Sequence, residues 1–250
     1  MKQTRKLIPA LVMLLISAIM LSTSSYAWFA SRLNVEANNM NVQVTSDARF
    51  LQIKNISGEY GIEAPGANTT TAPQGIELIT AEITGEGETK KTVTWKQGNS
   101  NSVTDHHNGE ALTEYAGDVK TDGKCVLYNE FKVALAEGSQ GVLNNLVASA
   151  VTVSGDASDA IRKCLRVLVI GNDGVQLYSL NSGTPTLDAT KSNDYLLETV
   201  QIDDGTLGNT NVIEVYIYFD GMDENATTNN LPANPQDVNY SVTITFSASK

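Results

Sequence analysis

From Val238 to Phe246 apolar side chains fall at every second position (Val238, Tyr240, Val242, Ile244, Phe246), and Asn239, Ser241, Thr243 and Thr245 fill the gaps. Period two is the signature of a strand with one dry face and one wet face. Val212–Phe219 repeats it, with Ile213, Val215, Ile217 and Phe219 on one side and Glu214, Tyr216 and Tyr218 opposite. In Cys125–Leu135 the residues Leu127, Phe131, Val133 and Leu135 point inward, and Glu130 and Lys132 outward. Leu165–Ile170 is almost wholly apolar, which predicts a central strand covered on both faces. Weaker strand signals lie at Met40–Val44, Phe50–Lys54, Ile76–Ile83, Thr92–Lys96, Leu146–Val153, Val175–Leu180 and Tyr195–Ile202. Asn172-Asp173-Gly174, Asn181-Ser182-Gly183, Asp203-Asp204-Gly205 and Asn229–Pro235 supply turn chemistry between them. The chain holds 25 Thr and 22 Asn, residues suited to pleated surfaces and turns respectively. The expectation is an all-β chain, an antiparallel β-sandwich of the jelly-roll kind. Ser158–Lys163 reads as a short helix, and segments 57–75 and 97–124 read as polar loops.

The N-terminus sets the address. Lys2, Arg5 and Lys6 precede the apolar run Leu7–Leu21, and Ser25-Tyr26-Ala27 places small residues at −3 and −1 of a cut between Ala27 and Trp28. That is the pattern of a secretory signal peptide. The apolar run is shorter than the ~20 residues of a membrane-spanning helix. An anchor would have to recruit residues 22–30, so cleavage is the favoured reading. The division is then residues 1–27 as signal and 28–250 as one domain, with no membrane attachment after cleavage. The signal carries three basic and no acidic groups, so processing takes the net charge from −11 to −14. Such a surface disfavours nucleic acid, and it must be screened wherever copies pack together. No LPxTG-like signal or apolar tail appears at the C-terminus, so retention at the surface falls to matrix or cell-wall partners, or to self-association.

Processing would expose an unusual leading segment. Trp28 and Phe29 are followed by Leu33, Val35 and Ala37 in alternation, then by Met40, Val42 and Val44. New termini are ordinarily polar and frayed. Residues 28–44 are either the first strand of their own sheet or a donor strand that completes a neighbour's. Repeated head to tail, the second arrangement makes an open filament.

A signal ending in small residues, then Tyr26-Ala27-Trp28-Phe29 and a strand, resembles the TasA/camelysin group of exported proteins from Gram-positive bacteria. The C-terminal pairing of Val212–Gly221, a short Asp/Asn-rich loop and a final Thr/Ser-alternating strand is similar to surface proteins of that type. Ala30-Ser31 stand where members often carry an acidic residue. The resemblance implies a jelly-roll subunit of extracellular biofilm-matrix fibres, joined through the mature N-terminal strand at Trp28, Phe29, Leu33 and Val35. It also raises the question of metalloprotease activity.

Chemistry-bearing motifs are scarce. The chain has two histidines, His106 and His107, adjacent rather than spaced as HExxH, and neighbouring side chains on extended backbone point apart. No P-loop and no GxGxxG opening a helix is present. The reading is therefore a non-enzyme without a resident cofactor. Ca²⁺ at Asp220–Asn225 or Asp203-Asp204 is the one ion whose ligands the sequence offers. Cys125 and Cys164 either form one disulfide in an oxidising exterior or remain two buried thiols. Trp95, Tyr216 and Tyr218 suggest an alternative role as a carbohydrate-binding surface module, and a secreted hydrolase is the third reading.

Overall fold

A computed structural model of the chain describes residues 40–44, 51–66, 78–87, 89–97, 112–121, 126–139, 141–155, 160–180, 183–205, 210–226, 230 and 240–249. The chain divides into two compact units, Met1–Ala37 and Asn38–Lys250, and every described residue belongs to the second. In chain order the described strands are β1 (Met40–Val44), β2 (Leu51–Asn55), β3 (Glu63–Pro65), β4 (Ile79–Thr84), β5 (Thr92–Gln97), β6 (Val126–Leu135) and β7 (Leu143–Ser154). They continue as β8 (Leu165–Ile170), β9 (Val175–Ser179), β10 (Thr186–Leu187), β11 (Leu197–Val200), β12 (Val212–Phe219) and β13 (Ser241–Ser249). A 3-10 segment, Ala160–Cys164, overlaps the expected Ser158–Lys163, whose first two residues lie outside the described ones. The protein is all-β.

Eleven strands form two sheets, ordered β11-β7-β13-β1-β3 and β10-β9-β8-β12-β6-β2; β4 and β5 make a separate ribbon. Side chains from both large sheets meet in one core, in a sandwich-like arrangement. Leu143, Leu146, Val242, Ile244 and Phe246 come from the five-stranded sheet, and Ile53, Phe131, Val133, Val167, Val169, Ile213 and Val215 from the six-stranded one. The alternation read from sequence holds here: Val242, Ile244 and Phe246 are buried on β13, as are Ile213, Val215 and Ile217 on β12. Each such side chain contributes about 1.5–3 kcal/mol on full burial. β8 is central as expected, with Val167 and Val169 in this core and Leu168 on the other face in a second cluster beneath the ribbon.

Three expectations need correction. The 57–75 segment, read as loop, contains β3, which is too short to leave a periodic signal. Within the 97–124 segment, Glu114 forms a β-bridge with Lys96 of β5. The sheets are not antiparallel throughout. β1 runs parallel to β13, with Met40 opposite Val242, Val42 opposite Ile244 and Val44 opposite Phe246. Every other ladder among the described residues is antiparallel.

The two sheets are also joined by polar bonds through the core. β11 ends its pairing with β7 at Leu146, and β7 and β13 slip register between Thr245 and Phe246. The backbone of Ala148 lies just beyond. Its N–H donates to Gln176 Oε1 at 2.9 Å, and its carbonyl accepts from the Tyr178 hydroxyl, both from β9 across the core. A buried backbone pair left unmet would be destabilising, and these two side chains satisfy it.

Candidate functional site

The β13–β1–β3 region is where the N-terminal strand enters the body of the protein. β13 needs a partner on each side, because a central strand with an unmet edge leaves N–H and C=O groups without bonds. β7 supplies one side, over a register from Ser241–Ser154 to Ser249–Asn144. β1 supplies the other, from the opposite end of the chain. β3 then closes over β1 with Pro65, Ala64 and Glu63 opposite Asn41, Val42 and Gln43.

Three further borders among the described residues, those of β11, β9 and β2, are covered by the chain itself. Just before β11, the Leu196 carbonyl accepts from Asp173 and Gly174 N–H at 3.0 and 3.1 Å, and on β11 Glu198 N–H donates to Asp173 Oδ2 at 2.8 Å. Here Gly174 is required by space, since a Cβ on it would lie 1.9 Å from the Tyr195 carbonyl oxygen. The outer side of β9 is met by β10 and by the 188–193 turn. Asp188 N–H donates to Leu177 O, Leu177 N–H to Ser192 Oγ and Val175 N–H to Asn193 Oδ1. On β2, Ile53 exchanges both backbone bonds with Gly61, at 2.8 and 3.0 Å. β3 is only three residues long and ends in proline, a poor template for another strand.

The β2–β3 turn that carries β3 is tied down by side chains. Asn55 Nδ2 donates to the Pro65 carbonyl at 2.6 Å, and the Tyr60 hydroxyl donates to Asp203 Oδ2 at 2.7 Å. Lys54 Nζ lies 3.9 Å from the same carboxylate and 4.2 Å from the centre of the Tyr60 ring. The 201–205 turn is itself fixed beside β6, through Leu135 N–H to Gln201 O at 3.0 Å. The Tyr60 hydroxyl and the Gly205 N–H hold the Asp203 carboxyl below its ordinary range. Burial, with the Asp203 hydrogen bond, pushes the Tyr60 phenol up.

The aromatic residues singled out from sequence have a different place. Tyr216 and Tyr218 do point away from the main core, but the β4–β5 ribbon covers them and each is 2% exposed. The Trp95 ring packs tilted against Tyr216 at 5.4 Å and edge-on to Tyr218 at 5.0 Å. The two tyrosine rings are therefore a second core rather than an open stacking face. Beside them Glu214 and Glu130 stand directly opposite on β12 and β6. Their repulsion is offset by Lys120 on Glu214 and by the Tyr128 hydroxyl, 2.8 Å from Glu130 and 3.3 Å from Glu214. Burial raises the Glu214 carboxyl, but the Lys120 and Tyr216 hydrogen bonds outweigh it and hold the group low.

The Asp220–Asn225 turn, offered by the sequence for Ca²⁺, faces a protein cation. Arg166 Nε lies 3.4 Å from Asp220 and its Nη2 2.5 Å from Asp223, while Nη1 donates to the Lys163 and Leu165 carbonyls. Asp223 also accepts from Asn225 N–H and Nδ2 and, at 3.8 Å, from the Cys164 thiol. Asp203 is committed to Tyr60 and Gly205. A polar cavity of about 740 Å³ opens beside this turn, lined in part by Thr80, Glu82, Lys96 and Glu224. Among the described residues no three His, Cys, Asp or Glu side chains converge in a way that holds a metal.

Cys164 is a buried free thiol, with its ionisation pushed up by desolvation and by Asp223; Cys125 lies outside the described residues. So do Ala27, Trp28, Phe29, Leu33, Val35, His106 and His107. The site thus contains Met40–Val44 of the expected donor segment, and its remaining parts, β3 and the Asn55, Tyr60 and Asp203 ties, had no signal in sequence. No family model, curated protein or solved structure matches the chain.

Proposed function

We propose that this chain is an exported structural subunit of the cell surface or extracellular matrix, built on a jelly-roll-like β-sandwich. It assembles into fibres when its N-terminal strand is taken up by a neighbouring copy. The observation that carries this reading is the place of β1, the first described strand, held inside a sheet by a parallel ladder to β13 and flanked by β3. No hairpin joins β1 to either partner. The same rungs form equally well whichever copy donates the strand, which makes exchange of an identical element a low-cost route to assembly.

Closure of the β2, β9 and β11 borders also favours this route, because it removes three templates for strand addition among the described residues. The signal-peptide pattern at residues 1–27 supports export, and the likeness of the segment around Trp28 and Phe29 to the TasA/camelysin group supports a fibre role. A charge of −14 after cleavage makes copies repel, so added salt should hasten assembly by screening.

The test is negative-stain microscopy and sedimentation of the exported chain over a range of concentrations, with and without residues 28–44. Filaments from the intact chain and none from the truncated one are expected. The truncated chain should bind a synthetic peptide of residues 28–44. An intact chain that stays solitary at every concentration, at low and high salt, overturns the proposal.

A further inference from the structure

We infer that the β2–β3 segment, residues 55–65, is a strap whose latch sets how readily β1 leaves or enters its place; this rests on the strand-exchange reading above. The geometry is asymmetric. On one side β1 meets β13, a strand anchored along its length by β7 and by Val242, Ile244 and Phe246 in the core. On the other side it meets only the three residues of β3, the outermost strand of that sheet, where Ala64 is the one buried side chain. Opening a slot beside β13 therefore requires displacing β3, not disturbing β13.

Besides the two backbone bonds that Gly61 exchanges with Ile53 of β2, what resists that displacement is a small set of side-chain bonds. Asn55 Nδ2 ties the strand's far end at the Pro65 carbonyl, and the Tyr60 hydroxyl ties the turn to Asp203 on a different loop. Lys54 sits against both the Tyr60 ring and the Asp203 carboxylate. The turn between them has little apolar attachment, since Ile56 and Ile62 are 47% and 41% exposed. A segment held by a few polar bonds with exposed apolar side chains belongs to the low-stability end of local unfolding. A hydrogen bond to a charged acceptor is strong enough that its loss should change the open population on the order of tenfold or more.

The test uses the exported full chain with Asp203→Asn, Tyr60→Phe and Asn55→Ala, and Glu59→Gln as a control that removes a charge from the same turn. Two readouts are taken: amide hydrogen exchange along β1 and β13, and the lag before fibres form. Asp203→Asn and Tyr60→Phe are expected to speed exchange in β1 by about tenfold and to shorten the lag in step. Asn55→Ala should act in the same direction and Glu59→Gln should change neither. Exchange in the three latch variants equal to that of Glu59→Gln overturns the strap, even if fibres form normally. Faster exchange with no fibres from any variant, wild type included, leaves the latch standing and overturns the assembly reading instead.

Discussion

The two large sheets differ in how they are closed. In the six-stranded sheet β8 and β9, separated by the short Gly171–Gly174 turn, lie side by side, and β12 and β6 complete the centre with long antiparallel registers. In the five-stranded sheet the middle is completed by β1, nearly two hundred residues from its partner β13. Closing a contact of that separation is entropically expensive, and the ladder must recover that loss. One sheet is thus built around a hairpin of neighbouring strands, β8 and β9, to which more distant strands are added by antiparallel ladders. The other depends on a strand from the far end of the chain.

Paired core truncations bear on that contrast most strongly. Phe131 on β6 and Phe246 on β13 are both 0% exposed, so Phe131→Ala and Phe246→Ala should each cost about 3–5 kcal/mol in urea unfolding. The contrast lies in local exchange: only Phe246→Ala, at the register position of Val44, should also loosen β1 below the global opening. Equal loosening by both would mean that the sheets are secured alike.

A smaller effect is expected where the sheets are bonded to each other. Gln176→Leu leaves the Ala148 N–H buried without an acceptor, at a cost of about 1–3 kcal/mol. Tyr178→Phe strips the carbonyl of the same residue and should cost a similar amount, and the double variant less than the sum if the two side chains act together. Gly174→Ala, by driving a Cβ into Tyr195, should expose the border of β11 and promote non-specific association at the same protein concentration.

The smallest effects are in pH dependence. Burial pushes the Tyr178 phenol up to about 12 from an ordinary 10. Its contribution is therefore complete below pH 10 and lost as the pH rises from 10 towards 12, and Tyr178→Phe should flatten that alkaline limb. Asp203 and Glu214 are held below their ordinary values, so their contribution is present above the ordinary carboxylate range and is lost as the pH falls below it. Asp203→Asn should remove the acid sensitivity of amide exchange in β1 while leaving that of β12. Glu214→Gln should do the reverse.

The same contrast explains what could be read in advance. β12, β8 and the buried face of β13 were legible because alternation or its absence reports directly on one or two covered faces. Met40–Val44 was legible as a strand, but nothing local tells a strand its partner, so the parallel ladder to β13 was not. β3 and β10, three and two residues long, are too brief for any period to register. Tyr216 and Tyr218 were correctly assigned to the face opposite the main core. That the β4–β5 ribbon lies over them was not legible, because periodicity names a face and is silent on what covers it. Asp203 looked like a turn acid, and only the fold brings it to Tyr60, 143 positions away.

The parallel run of β1 and β13 has a mechanical corollary. Tension applied at the leading end of β1 and the trailing end of β13 pulls the two strands lengthwise past each other. All five facing pairs from Met40–Val242 to Val44–Phe246 then bear load at once, instead of parting one after another like a zip. In the filament proposed above, stretching along that axis would meet its greatest resistance at the seam between subunits.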